Sequence, residues 1–132
     1  MIRGLDANVM VRYVTQDDRK QSQRANAVFA AAASSGEKLF VNAIVLCELV
    51  WVLRSAYGEP RERIVPVLAG LLETPEVVVE DADLARRALA DWERGHGDFA
   101  DSFIARRNLH AGCQTTLSFD KASTKSALFS AP

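Results

Sequence analysis

Short runs rich in β-branched and apolar residues recur along the chain at residues 2–5, 38–41 (KLFV), 77–79 (VVV) and 115–119 (TTLSF), separated by longer stretches with helical patterning. Strand-length runs alternating with helices predict an α/β fold, with a mainly parallel central sheet of four to five strands flanked by helices. The helical segments fall at residues 8–14, 17–33, 44–57, 61–73, 82–94 and 98–111. Gly36, Gly58, Gly95 and Gly112 stand just past the ends of four of them, and Pro60 opens another; these are the expected stop and start residues.

With 132 residues the chain is expected to form one domain, residues 1–132, with a core of its own. Hydrophobic residues make up 48% and charged residues 25%, which excludes a disordered chain. The net charge of −1 excludes binding to nucleic acid through overall basicity, so any such binding must be local. Two cysteines, Cys47 and Cys113, do not make a disulfide framework. A reducing, cytoplasmic setting is expected. The residues after Met1 show no leader-like apolar stretch, and no run approaches the roughly 20 apolar residues that span a bilayer, so no membrane contact is expected.

Residues 44–53 (IVLCELVWVL) carry apolar side chains on nearly every face, which predicts a helix buried on most sides. Glu48 is its one charged residue. A buried carboxylate is costly unless it is paired or holds a cation; the alternative is a narrow exposed strip.

Asp6 follows the first strand and Asp120 the last, at the strand ends where open α/β sheets gather ligands. Each could equally be a helix cap or turn residue. Asp98 and Asp101 open the helix DFADSFIARRNLHAG, where their i, i+3 spacing makes a capping box and also puts both carboxylates on one face, continued by Asn108. Phe99, Phe103 and Ile104 are expected to dock this helix on the sheet. If these acids converge, their repulsion calls for a hard divalent cation such as Mg²⁺, with Mn²⁺ as a substitute. Zinc fits poorly, because the two histidines, His96 and His110, have no ligand-spaced partners. The chain has neither a Gly-rich phosphate loop nor a nucleophile elbow.

Four segments together, GLDANV at 4–9, NAIVLCELVWVL at 42–53, DFADSFIA at 98–105 and LSFD at 117–120, resemble the PIN domain. The closest likeness is to the VapC-type toxin ribonucleases of bacterial toxin–antitoxin pairs. The resemblance runs over essentially the whole chain in the family's order. It implies that Asp6, Glu48, Asp101 and Asp120 are the metal-binding, catalytic acids, with Asp98 an accessory acid. Asn8 and Ser118 match accessory polar positions. The residue after the first acid is usually Thr or Ser in the family; here it is Ala7. The implied activity is Mg²⁺-assisted hydrolysis of RNA phosphodiesters, with Arg12, Arg54, Arg106, Arg107 and Lys121 as candidate contacts to the RNA backbone. The implied partners are a cognate antitoxin and a second copy of the chain in a homodimer. Apolar surface for such contacts is expected on helices 17–33 and 61–72.

Two other readings share this pattern. A phospho-receiver module is also α/β and acid-rich, but it needs an acid pair after the first strand and an Asp after a central one; here Asp6 stands alone and Val41 leads into Asn42. A non-catalytic PIN module would have no need of all four acids.

Overall fold

The computed structural model describes residues 1–95 and 97–132; His96 lies outside the described residues. The chain divides into two compact units, Met1–Ala82 and Asp83–Pro132.

The first unit is built on strands β1 (Ile2–Gly4), β2 (Lys38–Val41) and β3 (Val77–Val79), in the order β1-β2-β3 and parallel throughout. Gly4 pairs with Phe40 and Val41 with Val79, so the strands end nearly level. Helices α1 (Ala7–Thr15) and α2 (Arg19–Ser35) join β1 to β2, and α3 (Ala43–Ser55) and α4 (Arg61–Glu73) join β2 to β3. Parallel neighbours require such crossovers. Leu39 and Val41 on the central strand are fully buried, and Met10, Leu46, Leu49, Ile64 and Leu68 bring the helices into the same core. Tyr13 of α1 stacks on Phe29 of α2, their rings 6° from parallel. Asp18 caps α2 by accepting from the Gln21 amide, and Gly36 ends the helix at φ 77°, a left-handed conformation open to glycine at little cost. Pro66 sits inside α4, where it supplies no amide to the helical ladder.

The second unit holds α5 (Ala82–Glu93), α6 (Phe99–His110), strands β4 (Thr116–Leu117) and β5 (Phe129–Ser130), and a short 3₁₀ turn at Ser123–Lys125. Its core is aromatic. Trp92 meets Phe99 edge-to-face at 6.0 Å, and Phe99 meets Phe103 at 5.7 Å. Asp91, itself buried, receives two hydrogen bonds from Arg106 and so ties α5 to α6.

These elements correct several expectations. The α/β class and the parallel sheet hold, but the central sheet has three strands rather than four to five, and β4 pairs with β5 in a separate two-stranded sheet. Ile104, expected to dock, is 50% exposed, because the aromatic packing of α6 uses Phe99 and Phe103 instead. Helix α3 takes the narrow-strip alternative for Glu48: Ile44 and Trp51 are 68% and 69% exposed with exposed Glu48 between them on the same stripe, while Val45, Leu46, Leu49, Val50 and Leu53 are buried. Among the described residues, the large exposed apolar side chains of helices stand on α3 and α6, not on α2 and α4. No helix among the described residues is long and apolar enough to cross a membrane.

Candidate functional site

In the first unit, Asp6 is the exposed residue between β1 and α1. Its Oδ1 accepts from the Ala7 amide at 2.8 Å, so it serves as the helix N-cap. The equivalent place after β2 belongs to Asn42, which caps α3 by accepting from the Val45 amide at 2.8 Å. A second acceptor at that helix start is Glu80, directly after β3, which takes the Ala43 amide at 2.9 Å while its own amide bonds to Val41. Glu80 thus fixes the entry of the helix that carries Glu48, a role invisible in the sequence because its partner lies 37 residues away. Glu48 itself is on the exposed stripe of α3. Asn8 lines a cavity of about 310 Å³ with Arg12, Gln21 and Arg24.

The second unit gathers three of the acids. Asp98 and Asp101 form the expected capping box: Asp98 accepts from the Asp101 amide at 2.8 Å, and Asp101 Oδ2 accepts from the Asp98 amide at 3.3 Å. Asp120 lies at the other end of the unit's chain path, yet Ser123 Oγ is 2.9 Å from Asp120 Oδ2 and 3.3 Å from Asp101 Oδ2. Asp120 Oδ1 also accepts from the Ala122 amide, and the Asp120 amide donates to Ser118 Oγ at 3.0 Å. Asn108, on the face continued from Asp101, donates to Thr116 Oγ1 at 3.0 Å and joins α6 to β4, the strand that leads to Asp120. Burial, helped by the neighbouring Asp98 charge, pushes the Asp101 carboxyl above its usual range; amide and Ser123 hydrogen bonds offset part of the rise.

Gly97 completes this corner. Its φ is +67°, and a Cβ there would lie 2.9 Å from Ser123 Oγ and 3.2 Å from Asp101 Oδ2. Neither Gly97 nor Ser123 was indicated by the sequence as a site residue. The available signals were local: a glycine immediately before a capping box, and a serine three residues after an acid.

The carboxylates are hard oxygen donors of the kind that suits Mg²⁺ or Mn²⁺. Among the described residues, no group of three or more His, Cys, Asp or Glu is arranged to hold a metal ion. In the second unit Asp101 and Asp120 stand on either side of one hydroxyl.

The candidate RNA-contacting cations divide by environment. Arg106 is held by Asp91, with Nε at 2.6 Å and Nη2 at 2.9 Å, and Arg12 donates to Gln21, Asp17 and Tyr57. Both guanidiniums are therefore engaged within the fold. Arg54, Arg107 and Lys121 are exposed.

The chain matches the PIN domain over residues 5–125, a span that takes in all four expected acids, and it belongs to that family. Among characterised proteins it is similar to the VapC ribonuclease of Aquifex aeolicus (strain VF5), with 27% identity over 117 residues, covering 89% of this chain and 86% of the relative.

Proposed function

We propose that this PIN-family chain is a Mg²⁺-dependent endoribonuclease of the VapC type, the toxin of a toxin–antitoxin pair. The observation that carries the reading is the juxtaposition of Asp101 and Asp120 across one buried hydroxyl, within a family match that spans both. Two acids distant in sequence are brought together at an energetic cost, and a nuclease that holds a cation has a use for that arrangement. The likeness to a VapC ribonuclease over most of both chains supports the same reading.

Asp6, Glu48, Asp101 and Asp120 act as the metal-holding carboxylates, and Asp98 keeps Asp101 in place through the capping box. A divalent ion held there would supply charge neutralisation at the phosphoryl oxygens and a lowered pKa for the attacking water. One of the carboxylates would take the proton that the water loses as its oxygen bonds to phosphorus, and the ribose oxygen released from phosphorus would take a proton from solvent. Lys121, next to Asp120, contacts the RNA backbone together with Arg54 and Arg107. Ser118 orients the Asp120 backbone, and Asn8 provides an accessory polar contact. An antitoxin and a second copy of the chain are the partners, and the cytoplasm is the site of action.

Purified protein incubated with RNA and Mg²⁺ or Mn²⁺ tests the reading. Cleavage should appear with either metal, stop with EDTA, and fall by at least about 100-fold in Asp6→Asn or Asp101→Asn while the circular dichroism spectrum is retained. Equal persistence of RNA with wild type and both variants rejects it.

A further inference from the structure

Ser123 is 1% exposed, so no bulk water reaches its hydroxyl. A serine hydroxyl has one proton to give. Here two carboxylate oxygens face it, Asp120 Oδ2 at 2.9 Å and Asp101 Oδ2 at 3.3 Å. The first contact is local, three residues along the chain; the second crosses 22 residues and joins the turn after β4 to the start of α6. Asp101 Oδ2 also accepts from the Asp98 amide, and Asp120 Oδ1 from the Ala122 amide, so each carboxylate has a backbone anchor besides the hydroxyl that lies between them. Space for that hydroxyl depends on Gly97, where a Cβ would stand 2.9 Å from Ser123 Oγ and 3.2 Å from Asp101 Oδ2. Without the bridge, two anions in a partly desolvated corner would turn apart toward water.

We propose that Ser123 is a positioning residue, its single hydroxyl proton shared between Asp101 and Asp120 so that both carboxylates face one point, in a space that Gly97 leaves open. The inference deepens the nuclease reading and rests on it for its purpose. Ser123 does not touch the reacting phosphate. It acts as an outer-shell partner, and loss of such a partner typically costs about 10- to 100-fold in metal affinity.

The test uses full-length wild type, Ser123→Ala and Ser123→Cys, the last keeping the side chain's bulk with a weaker donor. Mn²⁺ calorimetry should show affinity falling about 10-fold or more in Ser123→Ala, with Ser123→Cys between the two. Raising Mn²⁺ by a similar factor should recover most of the RNA cleavage, whereas a purely structural defect would lower Tm without moving the Mn²⁺ dependence. Crystal structures of the metal-free proteins should show Asp120 turned away from Asp101 in Ser123→Ala. An unchanged carboxylate arrangement, or Mn²⁺ affinity within twofold of wild type, overturns the proposal. If Ser123→Ala does not fold, the same two readouts on Ser123→Cys decide. Failure of the nuclease reading is distinct: wild type would leave RNA intact, and the metal-free structures would still show whether Ser123 sets the carboxylate pair.

Discussion

Arg106 grips Asp91 with two donors, Nε to Oδ2 at 2.6 Å and Nη2 to Oδ1 at 2.9 Å, and the planar fork matches the carboxylate. Asp91 is 8% exposed and Arg106 is largely covered, so the pair is shielded from water as surface pairs are not. The hydrogen bonds that Arg106 donates to Asp91 raise the Arg106 pKa further, and the guanidinium stays charged at any working pH. Arg94 also reaches Asp91, at 3.0 Å, but its side chain is 66% exposed.

Arg106→Leu should therefore destabilise the protein by about 2–3 kcal/mol, since it leaves a buried carboxylate with one solvent-exposed partner. Arg94→Leu should cost under about 1 kcal/mol. The double variant Asp91→Leu/Arg106→Leu should recover most of the loss, because an apolar pair of similar volume removes the unpaired charge. Urea denaturation of the three variants measures this; an Arg106→Leu cost no larger than that of Arg94→Leu contradicts the assignment.

Gly97 and Gly36 make a matched comparison of space and backbone conformation. Both have positive φ, +67° and +77°, but a Cβ at Gly36 would meet nothing within 4 Å, while one at Gly97 would press on Ser123 and Asp101. Gly36→Ala should cost about 1 kcal/mol from the left-handed conformation alone. Gly97→Ala should cost about 1 kcal/mol more and also reduce RNA cleavage, which Gly36→Ala should leave intact. Chemical denaturation with a parallel cleavage assay separates the two effects, and equal costs with equal activity would show that Gly97 is needed for its φ alone.

Trp92 is 1% exposed and makes edge contact with Phe99, whose other edge contact is Phe103. Trp92→Ala should cost about 3–5 kcal/mol, the range for emptying a core of a large aromatic. That is a large share of the stability of a domain this size. Phe99 follows Asp98 directly, so the loss should also loosen the start of α6. Hydrogen exchange at the amides of Asp101 and Ser102 would report it as faster opening, and unchanged exchange there would separate the aromatic cluster from the cap.

What the sequence revealed and what it concealed follow from distance along the chain. Strands β2 and β3 were legible to the residue because short runs of apolar, aromatic or β-branched residues carry their own signal, and the Asp98–Asp101 capping box was legible because its spacing is one helical turn. Strand β5 has two residues, Phe129–Ser130, and no periodicity can be read from two positions. The exposed stripe of Ile44, Glu48 and Trp51 is one of two alternatives the sequence leaves open, because apolar composition on every face does not say which face is covered. Ser123 against Asp101 and Arg106 against Asp91 are pairings across 22 and 15 residues, set by tertiary packing and not by local spacing.

Acid titration should expose the cluster at the end of α1. Asp17 accepts from Tyr57 Oη at 2.5 Å, from Thr15 Oγ1 at 2.7 Å and from Arg12 Nη1 at 3.1 Å. Tyr57 first, then Thr15, hold its carboxyl below the ordinary 3.8, against a smaller opposing effect of burial. A carboxyl with a depressed folded pKa binds protons more weakly in the folded than in the unfolded state, so stability rises with pH through that window. The contribution is complete above 3.8 and is lost as pH falls through the lower folded value. Tyr57→Phe removes the largest cause. Its Tm should lie a few degrees below wild type at neutral pH, and the gap should narrow as the pH drops below 3.8, where the wild-type carboxyl also takes up its proton. Thermal melts of both proteins across the acid range test this. A gap that stays constant or widens on acidification would mean that Tyr57 stabilises through packing or through Arg12, to which its oxygen also bonds at 3.2 Å, and not through Asp17.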